Sequence, residues 1–431
     1  AEANKPNAER AFFVADLGQV YKQYVRWKRC LPGIEPFYAV KCNPDPYVLR
    51  LLGALGTGFD CASHGEINLV TEIGVDTSRI IYANPCKSLS FIRHAARAAV
   101  DMMTFDNTDE LLKISSVFPT AKLVVRILTD DSKSLCRLGL KFGAPLATVP
   151  ALLEVARELG LDVIGVSFHV GSGCYDSNAF ADAVKRARTA FDMGAEAGYR
   201  FTLLDVGGGF ESFNFETTAG VLSRALETHF PFAKRDGVRV IAEPGRYFVS
   251  SAFVLATNII ARRVNPAQPQ VELMADEANQ PKVMYYINDG VYGSFNCIMF
   301  DHQKVTPYPL TIDRSVLPII HLQGPGHLND KDDLVLSSVW GPTCDSIDCV
   351  APLAMLPGRL ASAIGLVLTT WVPTLVVLRV DSMGLTCRRS ITRVGWAGKA
   401  PLFVRRLRST TMMTMALMRI MRVMIMTHPF R

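Results

Sequence analysis

The sequence lacks the features that mark secreted, disulfide-stapled and metal-binding chains. No apolar segment follows the polar residues 1–10, so we expect no secretory signal. The ten cysteines form no C-x-x-C pair, which argues against a zinc site and favours free thiols in a reducing compartment. The protein is therefore expected in the cytoplasm, and we predict no metal site.

Acidic residues are absent from residues 386–431, which hold nine Arg and one Lys. The formal net charge of +6 arises in this segment, and the rest of the chain carries −4. A mildly acidic body argues against nucleic acid as a partner. The uncharged residues 361–378 only just reach the ~18 residues that a membrane span needs, and they contain Pro373, so we predict no span.

Short apolar runs, each ending in a polar residue and followed by a helix-like stretch, recur eight times before residue 250. Apolar strands alternating with amphipathic helices predict an α/β fold, a closed (β/α)8 barrel of the TIM type. In such a barrel the strand ends share one mouth, although any one of them taken alone could simply meet solvent. The eight predicted strand-end residues are Lys41, Asp60, Asn84, Asp106, Arg126, His169, Asp205 and Glu243.

The sequence pattern changes after Ser250, where β-type runs are broken by Pro and Gly. We predict a barrel domain at residues 11–250 and a smaller β-rich, β-sandwich-like C-terminal domain at residues 251–358. The polar, proline-rich residues 264–281 are expected to form a surface loop.

Two groups of strand-end residues suggest a site for a phosphorylated carbonyl cofactor. Lys41 ends the first strand, and an amine at the mouth can have a depressed pKa and form a Schiff base. The seventh and eighth strands are followed by segments suited to bind phosphate through backbone N–H groups and an arginine. These residues are Gly207, Gly208 and Gly209, then Glu243, Pro244, Gly245 and Arg246.

The remaining needs of such a cofactor can also be met. His169 can stack on a flat ring, Ser172 can bind phosphate, and Glu243 can hold the proton of a pyridine nitrogen. Taken singly, His169 could be a core histidine and Ser172 a capping serine. Together these residues favour pyridoxal 5'-phosphate.

The chain resembles eukaryotic ornithine decarboxylase over residues 11–357. The resemblance rests on long motifs, such as Trp-Gly-Pro-Thr-Cys-Asp at residues 340–345. The others lie at residues 36–43, 56–63, 82–87, 205–210, 242–247 and 288–296.

The resemblance implies decarboxylation of L-ornithine to putrescine in a homodimer whose two active sites are shared between subunits. It implies that Lys41 holds the cofactor and that Asp60 and Arg137 lie near it. It also implies that four residues, Phe300, Asp301, Cys344 and Asp345, reach the opposite site. There Cys344 would deliver a proton, and the two aspartates would hold the distal ammonium of ornithine.

Two alternatives stay open. One is a related barrel decarboxylase acting on lysine, arginine or diaminopimelate, but Asp301 argues against the last because a second carboxylate would need a cation there. The other is a non-catalytic regulator resembling antizyme inhibitor, for which antizyme would be the partner.

The segment beyond about Gly358 departs from the resemblance. Residues 368–385 can be back-translated so that reading two bases later gives Asp-Asn-Met-Gly-Ala-Tyr-Thr, a motif expected in the family. We therefore predict that residues 359–431 are a frame-shifted, poorly ordered tail. That tail would cost the protein a phosphate ligand and part of the dimer interface.

Overall fold

A computed structural model gives the chain a barrel of parallel strands followed by a β-rich part. It describes residues 10–233, 235–264, 280–309, 311–312, 315–316, 334–358, 360, 365–369 and 424–425. Within these ranges, no helix is long and apolar enough to cross a membrane.

The strands of the described part are β1 (Phe12–Ala15), β2 (Glu35–Ala39), β3 (Gly58–Cys61), β4 (Ile80–Tyr82), β5 (Met102–Phe105), β6 (Lys122–Arg126), β7 (Ser134–Cys136), β8 (Asp162–Ser167), β9 (Ser172–Cys174), β10 (Leu203–Asp205), β11 (Arg239–Ala242), β12 (Phe253–Val264), β13 (Val283–Ile287), β14 (Thr306–Pro309), β15 (Thr311–Ile312), β16 (Ser315–Val316), β17 (Leu334–Trp340), β18 (Cys349–Pro357), β19 (Gly365–Thr369) and β20 (Met424–Ile425).

The α-helices of the same part are α1 (Leu17–Cys30), α2 (Pro46–Ala54), α3 (His64–Glu72), α4 (Leu89–Arg97), α5 (Thr108–Val117), α6 (Val149–Glu158), α7 (Asn178–Glu196), α8 (Phe215–His229), α9 (Arg246–Val249) and α10 (Cys297–Phe300). Short 3-10 turns occupy Val40–Cys42, Thr77–Arg79 and Leu146–Thr148.

Eight parallel strands close into a barrel in the order β10-β11-β2-β3-β4-β5-β6-β8. All eight strands predicted from the sequence are present, so the predicted fold is confirmed. Because the strands are parallel, their carboxyl ends meet at one mouth.

The helices pack on the outside of the barrel through one apolar face. In α7 the buried side chains recur three and four residues apart, from Phe180 to Phe191. Strand side chains alternate, so that Tyr38 packs in the layer beneath the helices while Phe37 belongs to a separate interior cluster. Burying each such large apolar side chain contributes about 1.5–3 kcal/mol.

Side-chain caps fix the direction in which the chain leaves the mouth. At the start of α3, Ser63 Oγ accepts a hydrogen bond from Glu66 N at 3.3 Å, and Glu66 Oε2 accepts one from Ala62 N at 2.7 Å. The helix therefore begins four residues after Asp60, which is held at the mouth.

The second part is β-rich, as predicted. Its eight-stranded sheet follows the order β14-β19-β12-β13-β17-β18, while β1 pairs with β12 and β20 pairs with β1. The long strand β12 pairs with β1 and β19 in its first half and with β13 in its second half. A register shift between Ile259 and Ala261 interrupts the pairing of β12 with β13.

Two features differ from the expected organisation. Strand β1 lies within the predicted barrel domain. Its apolar residues nevertheless pair antiparallel with the start of β12 and so belong to the second sheet. The predicted frame-shifted tail lies largely outside the described residues. Its described strand β19 pairs with β12 and β14.

Candidate active site

Lys41 and Asp60 form an ion pair at the barrel mouth. Lys41 lies in the 3-10 turn that follows β2, and its Nζ donates to Asp60 Oδ2 at 2.8 Å. The Lys41 side chain is 45 % exposed, whereas that of Asp60 is fully buried. Within the described part, Asp60 Oδ1 has no hydrogen-bond partner. The mouth therefore holds an accessible amine above a buried carboxylate.

The charge environment of Lys41 differs from the sequence expectation of a depressed pKa. Burial lowers the pKa of the amine, but the nearby carboxylates of Asp60 and Glu243 together outweigh it, and the pKa lies above its ordinary value. Lys41 is thus a protonated amine held by Asp60. It must lose a proton before it can react with a carbonyl.

Asp205 and Glu243 place two further buried carboxyl groups at the mouth. Asp205 ends β10, and Glu243 follows β11. Burial raises the pKa of Asp205 to about 7, and burial together with Asp205 raises the pKa of Glu243 well above its ordinary range. Asp205 Oδ2 and Glu243 Oε1 have no donor among the described residues. A cationic N–H group would supply one.

The glycine triplet after β10 forms a cradle that no side chain could share. Gly207 has a φ of +64°, and a Cβ there would lie 2.0 Å from Phe168 O. A Cβ on Gly208 would lie 2.8 Å from both Glu243 O and His169 Nε2. The backbone therefore lies against the imidazole of His169.

His169 is a neutral base in this setting. Burial lowers the pKa of the ring well below its ordinary value, with smaller contributions from Arg126 and Lys41. Its Nδ1 accepts a hydrogen bond from Gly171 N at 3.0 Å. The ring is therefore fixed in orientation and uncharged, as a stacking partner for a flat ring requires.

Arg246 lies beside the glycine cradle. It begins α9, directly after Gly245, and is almost fully buried. Pro244 O accepts a hydrogen bond from Ala39 N at 3.2 Å, which ties this segment to the strand that precedes Lys41. Arg246 Nη2 donates to Ser172 Oγ at 3.0 Å. Gly207 N donates to Asp205 Oδ1 at 2.9 Å, so the guanidinium of Arg246 and the Ser172 hydroxyl are the groups here that suit a phosphate.

Asp301 contacts Arg246 within its own chain, and its predicted role at the opposite site stays a prediction. Its Oδ1 is 3.2 Å from Arg246 Nη2 and 3.5 Å from Cys136 Sγ. The reason is that α10 ends over the β7–β9 pair, which carries Cys136 and Ser172.

The other predicted site residues are exposed. Phe300 and Cys344 lie on the surface, and Asp345 accepts hydrogen bonds from Ile347 N and the Tyr292 hydroxyl, which lower its pKa. Arg137 is about half exposed, and its Nε is 3.7 Å from Asp131 Oδ1. Their roles toward a cofactor or a second subunit stay predictions.

The sequence analysis missed Glu211. Its carboxyl group is buried 3.9 Å from Arg246 Nη1, and burial raises its pKa to about 7. An acidic residue two positions after a predicted phosphate loop is the signal that could have found it.

Comparison with known proteins agrees with this site. The model of the pyridoxal-binding domain of pyridoxal-dependent decarboxylases matches residues 17–250. Ornithine decarboxylase of Schizosaccharomyces pombe is 50% identical over 365 residues, 84% of this chain and 78% of that protein. Antizyme inhibitor 2 of Xenopus laevis is 49% identical over 363 residues, 83% and 75% of the two chains.

Among solved structures, the arginine decarboxylase of Paramecium bursaria Chlorella virus bound to agmatine is similar in fold. It matches with a TM-score of 0.74 and 33% identity, covering 85% of this chain and 92% of that one. The chain therefore belongs to the pyridoxal-dependent decarboxylase family.

Proposed function

We propose that this protein uses pyridoxal phosphate to decarboxylate L-ornithine to putrescine, the first step of polyamine biosynthesis. One observation carries the proposal: the mouth presents an amine, a glycine cradle with a buried arginine, and a buried carboxyl group lacking a donor. These three features correspond to the aldehyde, the phosphate and the pyridine nitrogen of the cofactor.

The residues fit the cofactor as follows. Lys41 would hold the cofactor through its aldehyde carbon, and Asp60 would keep that amine in place. Gly207, Gly208 and Gly209 form a turn in which an added Cβ would clash with neighbouring protein atoms, and Arg246 with Ser172 would supply side-chain donors to the phosphate. Glu243 Oε1, which has no donor within the described part, would accept a hydrogen bond from the protonated pyridine nitrogen.

Pyridoxal phosphate supplies an electron sink for the electron pair left when CO₂ departs. The chain orients the reaction around that sink. The neutral ring of His169 would stack on the cofactor, and the carboxylate of Glu243 would keep the pyridine nitrogen protonated. We assign to the Cys344 thiol the proton that replaces the lost carboxylate.

Substrate choice rests on Asp301 and Asp345. A carboxylate that meets the distal ammonium selects a diamino acid by charge, and its distance from Lys41 selects the chain length. Phe300, the apolar neighbour of Asp301 in the sequence, would contact the carbon chain of the substrate. Lysine is the main alternative substrate, since one extra methylene is discriminated by only about 1–3 kcal/mol.

We propose a homodimer in which exposed Cys344 and Asp345 complete the site of the second copy. Their exposure within one chain, outside contact with Lys41, supports this arrangement. A role as a partner of antizyme is supported only by the likeness to Xenopus antizyme inhibitor 2. The thiols of the described cysteines support a cytoplasmic location.

The predicted tail at residues 359–431 stays part of the proposal. If these residues are read in a shifted frame, the protein lacks one tyrosine ligand to the phosphate, and we expect weak cofactor binding. Sequencing the transcript tests this point. An intact frame that encodes the sequence as printed would contradict it.

Substrate assays separate the candidate functions. Purified protein with pyridoxal phosphate is incubated with carboxyl-labelled ornithine, lysine or arginine, and released CO₂ and the diamine product are measured. We expect ornithine to be preferred. Equal turnover of lysine would remove the specificity claim, and cofactor binding without any turnover would favour the regulator.

A further inference from the structure

Glu211 and Arg246 form a buried pair that the proposed reaction does not use. Glu211 is 2 % exposed, and its Oε1 lies 3.9 Å from Arg246 Nη1. Within the described part, neither Glu211 Oε2 nor Arg246 Nη1 has a hydrogen-bond partner. Each group therefore retains an unmet polar atom next to the cradle, at a distance too long for a hydrogen bond between them.

The second guanidinium nitrogen of Arg246 is already committed. Nη2 contacts Ser172 Oγ and Asp301 Oδ1, at 3.0 and 3.2 Å. With both carboxylates ionised, the Arg246–Glu211–Asp301 group carries one net negative charge, which opposes a phosphate dianion. With Glu211 protonated, that net charge disappears.

Among the described groups that act on the Glu211 carboxyl group, Arg246 is the one cation. The titratable groups that face Glu211 are otherwise neutral at pH 7. They are Cys42 in the turn after β2, Cys174 in β9, and Tyr175 beside β9. Burial raises the pKa of Glu211 to about 7, although Arg246 opposes the shift. The carboxyl group therefore changes charge near neutral pH.

We propose that Glu211 is a positioning residue whose charge decides whether Arg246 is available to the phosphate of the cofactor. Ionised Glu211 pairs with Arg246 and repels phosphate, whereas protonated Glu211 releases Arg246 and can itself donate a hydrogen bond. The inference rests on the proposed function, because it assumes that Arg246 binds the cofactor phosphate. Cofactor affinity is then expected to fall as pH rises through the neutral range.

The expected size follows from linkage. If the phosphate-bound state requires protonated Glu211 and the free protein titrates near 7, the dissociation constant rises about tenfold between pH 6 and pH 8. Glu211→Gln keeps the size of the side chain and removes the titration. The ratio of wild-type to variant dissociation constants should therefore be about 1 at pH 6 and about 10 at pH 8.

The experiment titrates cofactor-free wild type and Glu211→Gln with pyridoxal phosphate, following the visible absorbance of the bound cofactor. Using the ratio cancels the titration of Lys41 and of the ligand phosphate, which both proteins share. Pyridoxal without its phosphate is the matched ligand, and its ratio should stay at about 1 at both pH values. Glu216→Gln is the matched variant, because Glu216 pairs with Arg26 outside the site, and it should behave as wild type.

Several outcomes would overturn the inference. A ratio for pyridoxal phosphate that does not change with pH would do so, as would weaker binding by Glu211→Gln at both pH values. Failure of wild type to bind either ligand would instead count against the proposed function. In that case, calorimetry with inorganic phosphate would measure the same ratio of wild-type to Glu211→Gln dissociation constants at the two pH values. If Glu211→Gln does not fold, as judged by circular dichroism, Glu211→Met replaces it.

Discussion

Asp205 ends β10, Glu243 follows the neighbouring strand β11, and the Asp205 carboxyl group helps burial to raise the pKa of Glu243. Two neighbouring buried carboxylates cannot both ionise easily, so the pair retains a proton at pH values where free carboxyl groups have lost theirs. A cofactor that brings a cationic N–H group to Glu243 would relieve this repulsion. The protein without its cofactor should therefore carry a measurable stability cost at this point.

The first prediction concerns the pH dependence of that cost. The pKa of Asp205 is about 7 in the folded protein and 3.8 in the unfolded chain. The folded protein therefore binds this proton more tightly than the unfolded chain does. The resulting contribution to the free energy of unfolding is complete below about pH 4 and is lost as the pH rises toward 7. Replacing Asp205 with Asn removes the titration. The variant should lose less stability than wild type between pH 5 and pH 8, by on the order of 2–3 kcal/mol. Urea unfolding of both cofactor-free proteins measures this difference, and parallel pH curves would refute the assignment.

The second prediction concerns the carboxylate of Asp301, which is proposed to bind the distal ammonium of the substrate. Asp301→Asn keeps the side-chain size but removes the charge that meets the distal ammonium of ornithine. We expect kcat/KM to fall by ~10² or more, because a charge-assisted contact is lost. Asp182→Asn is the control, since Asp182 pairs with Arg186 on the outer surface of α7. Unchanged ornithine kinetics in Asp301→Asn would exclude Asp301 from substrate binding.

The third prediction concerns the glycine cradle. In Gly207→Ala the new Cβ would lie 2.0 Å from Phe168 O at a φ of +64°, so the loop must shift away from the phosphate position. We expect cofactor affinity to fall at least tenfold and stability to fall as well. Gly198→Ala separates the two effects, because Gly198 also has a positive φ, +85°, but no atom lies within 4 Å of its added Cβ.

For Gly198→Ala, only a modest loss of stability is expected, with cofactor affinity unchanged. Titration with pyridoxal phosphate measures the affinity, and thermal unfolding measures the stability. Equal cofactor affinities in the two glycine variants would mean that the cradle does not contact the phosphate.

The barrel was predictable because its strands are local apolar runs whose polar end residues have fixed positions. Lys41, Asp60, Asp205 and Glu243 could thus be placed at one mouth from the sequence alone. The β7–β9 pair was missed, since its triplets Ser134–Cys136 and Ser172–Cys174 have no strand pattern and form only by pairing with each other. Local signals do not report such long-range pairing.

The charge states at the site could not be predicted for a related reason. The pKa of Lys41 depends on Asp60 and Glu243, which lie on or next to other strands. Only in the assembled barrel do these carboxylates raise the pKa by more than desolvation lowers it. Glu211 stands two positions after the predicted phosphate loop, but the sequence does not show that its carboxyl group is buried beside Arg246. Asp301 was expected at the opposite site, and its contact with Arg246 follows from the way α10 ends above β9.

The central claim is that Lys41 holds pyridoxal phosphate for the decarboxylation of ornithine. The most direct measurement follows the visible absorbance of the bound cofactor and the release of putrescine and CO₂, for wild type and Lys41→Ala side by side. The account predicts that wild type shows the absorbance band and releases both products from ornithine, and that Lys41→Ala loses the band and the activity together. An unchanged spectrum in Lys41→Ala, or ornithine turnover that survives the substitution, would contradict it.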